Sequence, residues 1–248
     1  TTSIFKALGN YVQLRQRQGD FSGAVSFAEE AYNLVVDAYD PVHPQVQEAA
    51  GLLIECLMHK GDLFNAERYA EQTYANLRDI KNGIDQEGEI VAEGAHNWAD
   101  VIFQQEDGDL IKAEGLAREV IRIKDNLYDA HSSRVSGSYM LLARILLAQG
   151  KFGDEPKDLF ERSLANFIRN KGPDGVNTAA ATAEIGHFHY ELAMIQSVIS
   201  TKRTQLLLSK SYLEEATRIE TKIHNPTHPI RVGVASLLSE VLNELSTV

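Results

Sequence analysis

Apolar residues recur at intervals of three and four along almost the whole chain, and short breaks containing Gly or Pro interrupt them. That period places them on one face of a helix. Leu8, Tyr11, Val12 and Arg15 make one such face, Ala50, Leu53, Ile54 and Leu57 a second, and Tyr139, Leu142, Ala143 and Leu146 another. Four breaks share a phrase, a Gly followed by a charged residue, an apolar residue and then a small residue three positions on. It reads Gly19-Asp20-Phe21…Ala24, Gly61-Asp62-Leu63…Ala66, Gly108-Asp109-Leu110…Ala113 and Gly150-Lys151-Phe152, the last with its small position displaced to Pro156. The glycines lie 42, 47 and 42 residues apart, so one unit repeats with small insertions. Beyond each glycine, small residues keep the helical rhythm: Ala24, Ala28, Ala31; Ala66, Ala70, Thr73; Ala113, Ala117, Val120. Small side chains let two helices approach closely, and glycine supplies the left-handed backbone of a tight turn. Each unit predicts a helix-turn-helix hairpin.

Proline punctuates the units. Pro41-Val42-His43-Pro44 and Pro226-Thr227-His228-Pro229 each precede a helix, and Gly172-Pro173-Asp174-Gly175 takes the corresponding place between them. Proline in a first helical turn loses no hydrogen bond and ends the helix before it. Pro44 to Leu53 and Pro229 to Leu238 both span nine residues, so the register after the two His-Pro pairs is the same. This pattern resembles tetratricopeptide repeats, and the 42-residue period with an inter-repeat His-Pro resembles the kinesin light chain type. His96-Asn97-Trp98-Ala99-Asp100 is similar to the Asn-Leu-Ala segment of that type, with Trp98 in the Leu place. The resemblance implies an all-α, right-handed superhelix forming one continuous domain over 1–248. Its repeats would run 1–42, 43–86, 87–130, 131–172 and 173–227, with a capping helix at 228–248.

The departures are specific. The third hairpin has two extra residues in its turn, Gln104-Gln105-Glu106-Asp107, and a polar linker, Lys81–Gln86, precedes it. In the fifth, Gly186 to Ser209 is 23 residues where the other spacings imply 12. Eleven extra residues are about three helical turns, which predicts longer helices with an exposed basic tip at Ser200–Thr204, projecting past the stack by about 8 Å and offering a second contact site for an acidic partner. The last helix carries Ile230, Val234, Leu237, Leu238, Val241, Leu242 and Leu245 on one stripe, as a cap would.

Composition narrows the function. The net charge of −11 repels a phosphate backbone, and Lys202-Arg203 is too small a basic cluster to overcome it, so no nucleic-acid partner is expected. No apolar run is long enough to span a bilayer, so no membrane partner is expected either. The first residues lack a basic stretch followed by an apolar core, so no signal peptide is expected, and the absent initiator Met reads as a piece of a longer parent. The single cysteine, Cys56, excludes an internal disulfide framework and fits a reducing, cytoplasmic setting. It falls in an apolar helical stretch and reads as a buried, inert thiol. Phosphate-loop and zinc motifs are missing, and no cofactor is expected. One constellation offers metal chemistry: Glu184, His187 and Glu191 share a helical face, as solvated or paired surface residues also do.

The resemblance implies a concave wall built from the first helices. Asn97 falls on it, with Asn10 in the same place one residue before Tyr11, and in similar repeats an asparagine there hydrogen-bonds the backbone of a bound peptide. The same place holds Leu52, Leu141, Glu184 and Leu237 in the other repeats, so the ladder is incomplete. Carrying the register along adds Gln13 and Arg17, Glu55 and His59, Asp100 and Gln104, Arg144, and His187, Tyr190 and Glu191. No row of Lys and Arg appears, so a clamp on a C-terminal carboxylate is not expected. The reading is a non-enzymatic scaffold that holds a peptide or helix of a protein partner. A sensor for a small ligand or signalling peptide is the second reading, and a metal-dependent enzyme the third.

Overall fold

The computed structural model describes residues 2–79 and 88–248, without the side chains of Thr2, Arg17 and Asp79. The polar stretch Lys81–Gln86 lies outside these residues. The chain divides into two compact units, Thr1–Leu127 and Tyr128–Val248. The first holds α1 (Thr2–Arg17), α2 (Phe21–Val36), α3 (Pro44–Lys60), α4 (Leu63–Asp79), α5 (Glu89–Gln104) and α6 (Leu110–Leu127). The second holds α7 (Ser133–Ala148), α8 (Asp154–Lys171), α9 (Val176–Met194), α10 (Ile199–Ile223) and α11 (Pro229–Leu245). Among the described residues there is no strand.

The recurring Gly-Asp phrase does two jobs at once. Gly19, Gly61 and Gly150 take φ of 73°, 82° and 74°, the left-handed region that ends a first helix. The acid that follows accepts from the first amides of the second helix: Asp20 Oδ1 from Gly23 N at 2.9 Å, and Asp62 Oδ1 from Asn65 N at 3.3 Å. Such a cap stabilises a helix by about 1 kcal/mol. Gly108 departs from the expectation, because its φ is not left-handed. The two extra residues let α5 end in an extended Gln105. A Cβ at Gly108 would then lie 1.9 Å from the Ile102 carbonyl oxygen, so close approach, not handedness, requires the glycine there. The helix that follows is still capped, with Asp109 Oδ1 accepting from Lys112 N at 3.0 Å.

The small positions sit at the helix contacts. Ala24, Ala28, Ala31, Ala66, Ala70 and Ala113 are fully buried, and Pro156 takes the same role in α8. Leu53, Ile54, Ile102, Ile123, Tyr139 and Ile145 are buried as well, and burying a side chain of that size contributes about 1.5–3 kcal/mol. Tyr11 departs from its register, for it is exposed and stacks on Phe27 at 5.3 Å. Its helix, α1, packs chiefly on α2, whose Phe27 covers one face of the ring. His43 caps α3 by accepting from Gln45 N at 3.2 Å, and Pro44 stands in the first turn, as its spacing predicts.

In the fifth hairpin the insertion is helical but asymmetric. The other helices run 16 to 18 residues, whereas α9 has 19 and α10 has 25, so α10 takes most of the extra length. The turn is Ile195–Val198, not Ser200–Thr204, and it exposes Met194, Ile195, Val198 and Ile199 beside the polar Ser197. Lys202 lies inside α10 and pairs with Glu244 of α11 at 2.8 Å, while Arg203 donates to the Val248 carbonyl oxygen. The extra turns therefore seat the last helix; they do not present a basic end to a partner. Leu206 and Ala193 join Val234 and Val241 in one cluster, with Leu237, Leu238 and Leu245 packed against it. Ile230 and Leu242, placed on the same stripe by sequence, are exposed. Register survives the insertion because Ser209 Oγ donates to the Gly186 carbonyl oxygen at 2.7 Å, where a Cβ on Gly186 would stand 2.7 Å from Leu213 Cγ.

Candidate functional site

The first unit carries a groove of about 860 Å³ built on α1, α3 and α5. Its polar wall includes five of the sequence-predicted residues, namely Asn10, Gln13, Glu55, Asn97 and Asp100. Asn10, Gln13 and Glu55 are exposed, and Asn97 and Asp100 half-buried. Gly51 makes room for the Asn97 amide, whose Nδ2 would stand 3.4 Å from a Cβ there. Gln104 donates to Asp100 Oδ1 at 3.3 Å and holds that carboxylate from behind. His59 does not line the groove; it stacks on Phe21 at 5.8 Å and stands 3.6 Å from Glu55. The side chain of Arg17 lies outside the described residues.

Several groove residues were not singled out from sequence. Glu48, Glu89 and Glu93 add carboxylates to the wall, and Lys6 stands at its α1 side. Their signal was present, since Glu89, Glu93 and Asp100 are spaced four and seven apart on the face that carries Asn97. Lys124 of α6 is buried and reaches Glu93 Oε1 at 2.7 Å. No single-helix pattern reveals that pairing. His96 also lines the groove, and its Nδ1 is buried without a hydrogen-bond partner among the described residues. Burial, and then the charge of Lys124, hold its pKa below the usual histidine value against the opposing pull of Asp100 and Glu93, so the ring is neutral at pH 7.

Trp98 packs in the core as its register implies, with Tyr74 at 5.5 Å and the Lys112 ammonium 4.0 Å from its ring centre. Cys56 is buried and accepts a weak hydrogen bond from Gln16 Nε2 at 3.6 Å. Burial, followed by the Glu55 charge, pushes its thiol up to about 12, which suits an inert side chain.

In the second unit the predicted residues pair with one another. Arg144 meets Glu184 at 3.4 Å, and His187 Nε2 stands 3.3 Å from Glu191. Tyr190 packs against the cluster beneath α11, and burial, with Glu240, Glu244 and Glu191, raises its phenol pKa. Among the described residues no three His, Cys, Asp or Glu side chains are grouped to hold a metal ion. Glu184, His187 and Glu191 therefore do not converge as a ligand set, because Glu184 turns to Arg144. No helix among the described residues is long and apolar enough to cross a membrane.

Helical hairpins in this arrangement recur in solved structures. A putative kinesin light chain with nearly identical TPR-like repeats from Podosopora anserina matches at a TM-score of 0.62 and 18% identity, over 91% of this chain and 99% of that one. BtubC (BKLC) from P. vanneervenii matches at 0.63 and 16%, over 96% and 84%. The fold is that of tetratricopeptide-like repeats. A STAND signal-transduction ATPase with a tetratricopeptide repeat sensor, from Pyrococcus horikoshii, matches at 0.54 and 14%, over 93% of this chain but 37% of its own. No protein-family model and no curated protein matches the sequence. At these identities the tetratricopeptide-like likeness concerns the fold alone.

Proposed function

We propose that this chain is a protein-interaction scaffold and that the groove of its first unit holds a peptide or helix of a partner. Tetratricopeptide-like repeats commonly serve as such scaffolds. The supporting observation is the convergence of the Asn10, Gln13 and Asn97 amides on one groove from two separate first helices. Side-chain amides carry both donors and acceptors, which is what an extended peptide backbone demands. The reading is of a non-enzymatic binding module, in which the thiol of Cys56 is buried. His59, Gln104, Arg144, His187, Tyr190 and Glu191 stand apart from this contact in the proposal. A small-ligand sensor is the second reading, because 860 Å³ is also the size of a small-molecule site.

Affinity capture from a native lysate, followed by titration of the captured partner, tests the proposal. Asn97→Ala is expected to weaken binding by about 1–3 kcal/mol through a lost buried hydrogen bond. Glu71→Ala on α4, an exposed residue that is not part of the groove wall, is expected to change little. Equal effects would place the interface elsewhere, and a captured small molecule with no protein would favour the sensor.

A further inference from the structure

We infer that Gly51 is a positioning residue of the first-unit groove: its missing side chain sets where the Asn97 amide rests, and so which contact that amide offers to an occupant. This rests on the proposal that the groove binds a peptide. Gly51 stands inside α3, where glycine is unfavourable relative to alanine. A Cβ placed on it would meet a single described atom within 4 Å, Asn97 Nδ2 of α5 at 3.4 Å. No described backbone atom of α5 comes that near, so the glycine is matched to a side chain and not to a close crossing of two helices. The Asn97 side chain is half-buried, and its amide makes no hydrogen bond among the described residues. Held by no such bond, it takes the rotamer that packing allows, and the width at residue 51 is part of that packing.

The repeat offers an internal control. Met140 of α7 takes the register place of Gly51, and Glu184 of α9 takes that of Asn97. There the polar side chain turns to Arg144 at 3.4 Å and is spent within its own unit. A long side chain at the first place goes with an engaged residue at the second, and a glycine with an amide that stays available. Size at residue 51 is therefore the variable. A methyl group there stands at ordinary van der Waals distance from Nδ2, whereas a longer side chain takes the space where Nδ2 now lies. The amide supplies a donor and an acceptor to a peptide backbone only where it can reach them, since a hydrogen bond weakens steeply with misalignment.

Two measurements on the full chain, with Gly51→Ala and Gly51→Met, separate placement of the amide from a purely structural role. The first needs no partner. The nuclear Overhauser contact between the Asn97 side-chain amide protons, assigned by their loss in Asn97→Ala, and the Hα of residue 51 is expected to persist in Gly51→Ala and to vanish in Gly51→Met. Persistence in both would overturn the inference. The second uses dodecapeptides enriched on the unaltered chain from a displayed random library. Their affinity is expected to change less than about twofold in Gly51→Ala and to fall about tenfold in Gly51→Met, the size of one lost hydrogen bond. The double variant Gly51→Met, Asn97→Ala is expected to bind no worse than Asn97→Ala alone, because both changes remove the same contact. Additive losses would overturn the inference and leave the groove proposal standing. Failure of any peptide to enrich would overturn the groove proposal, and the Overhauser contact then still decides whether Gly51 places Asn97. Melting curves check that each variant folds, and Gly51→Leu replaces Gly51→Met if the latter does not.

Discussion

The two units carry the same repeat register, yet they treat their inner residues differently. In the first, Asn10, Gln13, Asn97 and Asp100 open onto a shared groove. In the second, the matching residues are spent on one another or on the last helix: Arg144 on Glu184, His187 on Glu191, Tyr190 on the cluster under α11. Their helix contacts differ as well. Alanines fill the hairpin seams of the first unit, whereas buried hydroxyls and amides bridge those of the second, with Ser163 Oγ donating to the Ser136 carbonyl oxygen at 3.0 Å and Asn166 Nδ2 to that of Ala130 at 3.0 Å. Register says which way a side chain points; its neighbours decide whether it is available.

The largest effects are expected where a glycine is required by close approach. Gly108→Ala in the first unit drives a Cβ against a backbone oxygen, and Gly186→Ala in the second drives one against Leu213. Each is expected to destabilise at or above the top of the range of about 1–3 kcal/mol for overpacking. Hydrogen exchange resolved by residue should show each loss in its own unit. Gly19→Ala meets no described atom within 4 Å and carries only the left-handed backbone penalty of about 1–2 kcal/mol. If Gly108→Ala melts later than Gly19→Ala, the account of that turn is wrong.

Next come the seams themselves. Ala66→Leu overpacks a fully buried contact and is expected to lower stability by about 1–3 kcal/mol. Ser163→Ala removes one buried hydrogen bond and should cost less, about 1 kcal/mol, by denaturant unfolding. The reverse order would mean that the second unit depends on its polar bridges more than the first does on its alanines.

A smaller contrast is tied to pH. Burial lowers the pKa of His96 in the first unit and of His189 in the second, the latter against the Gln205 hydrogen bond that raises it. An unfolded histidine titrates near 6.5, so between that value and the lower folded one the unfolded chain binds more protons. Stability is therefore fully present above about pH 6.5 and is lost as pH falls through it. His96→Gln should flatten this dependence in the first unit alone and His189→Gln in the second, as read by hydrogen exchange at several pH values. A slope that neither variant changes would assign it to other groups. The smallest effect belongs to Asp174, whose exposed carboxylate meets Arg218 and Lys222 at 2.7 Å each. Exposed pairs are screened by solvent and salt, and Asp174→Asn is expected to leave the melting temperature unchanged.

Much of this architecture could be read from one sequence because a repeat states its rule several times. Gly19, Gly61 and Gly150 with their following residues located turns, and Ala24, Ala66 and Ala113 located seams, from spacing alone. The long fifth hairpin was legible as helix because Ser209 keeps its place on Gly186. Its turn was misplaced because polar residues look like a tip when the helix that will cover them is far away in sequence. Lys202 is polar for Glu244, 42 residues on.

The same division holds for the groove. Local periodicity determined the helices and their order, since those follow from spacings of three and four within single helices, and the resemblance to tetratricopeptide repeats implied the face that carries Asn10 and Asn97. Only the folded chain decided that Lys124 from α6 would neutralise Glu93 on α5, that His96 would bury a nitrogen with no hydrogen-bond partner among the described residues, and that Glu184 would turn to Arg144. Such pairings join different helices, where a change of an ångström or two in helix packing selects the partner, and spacing along one helix carries no record of that distance.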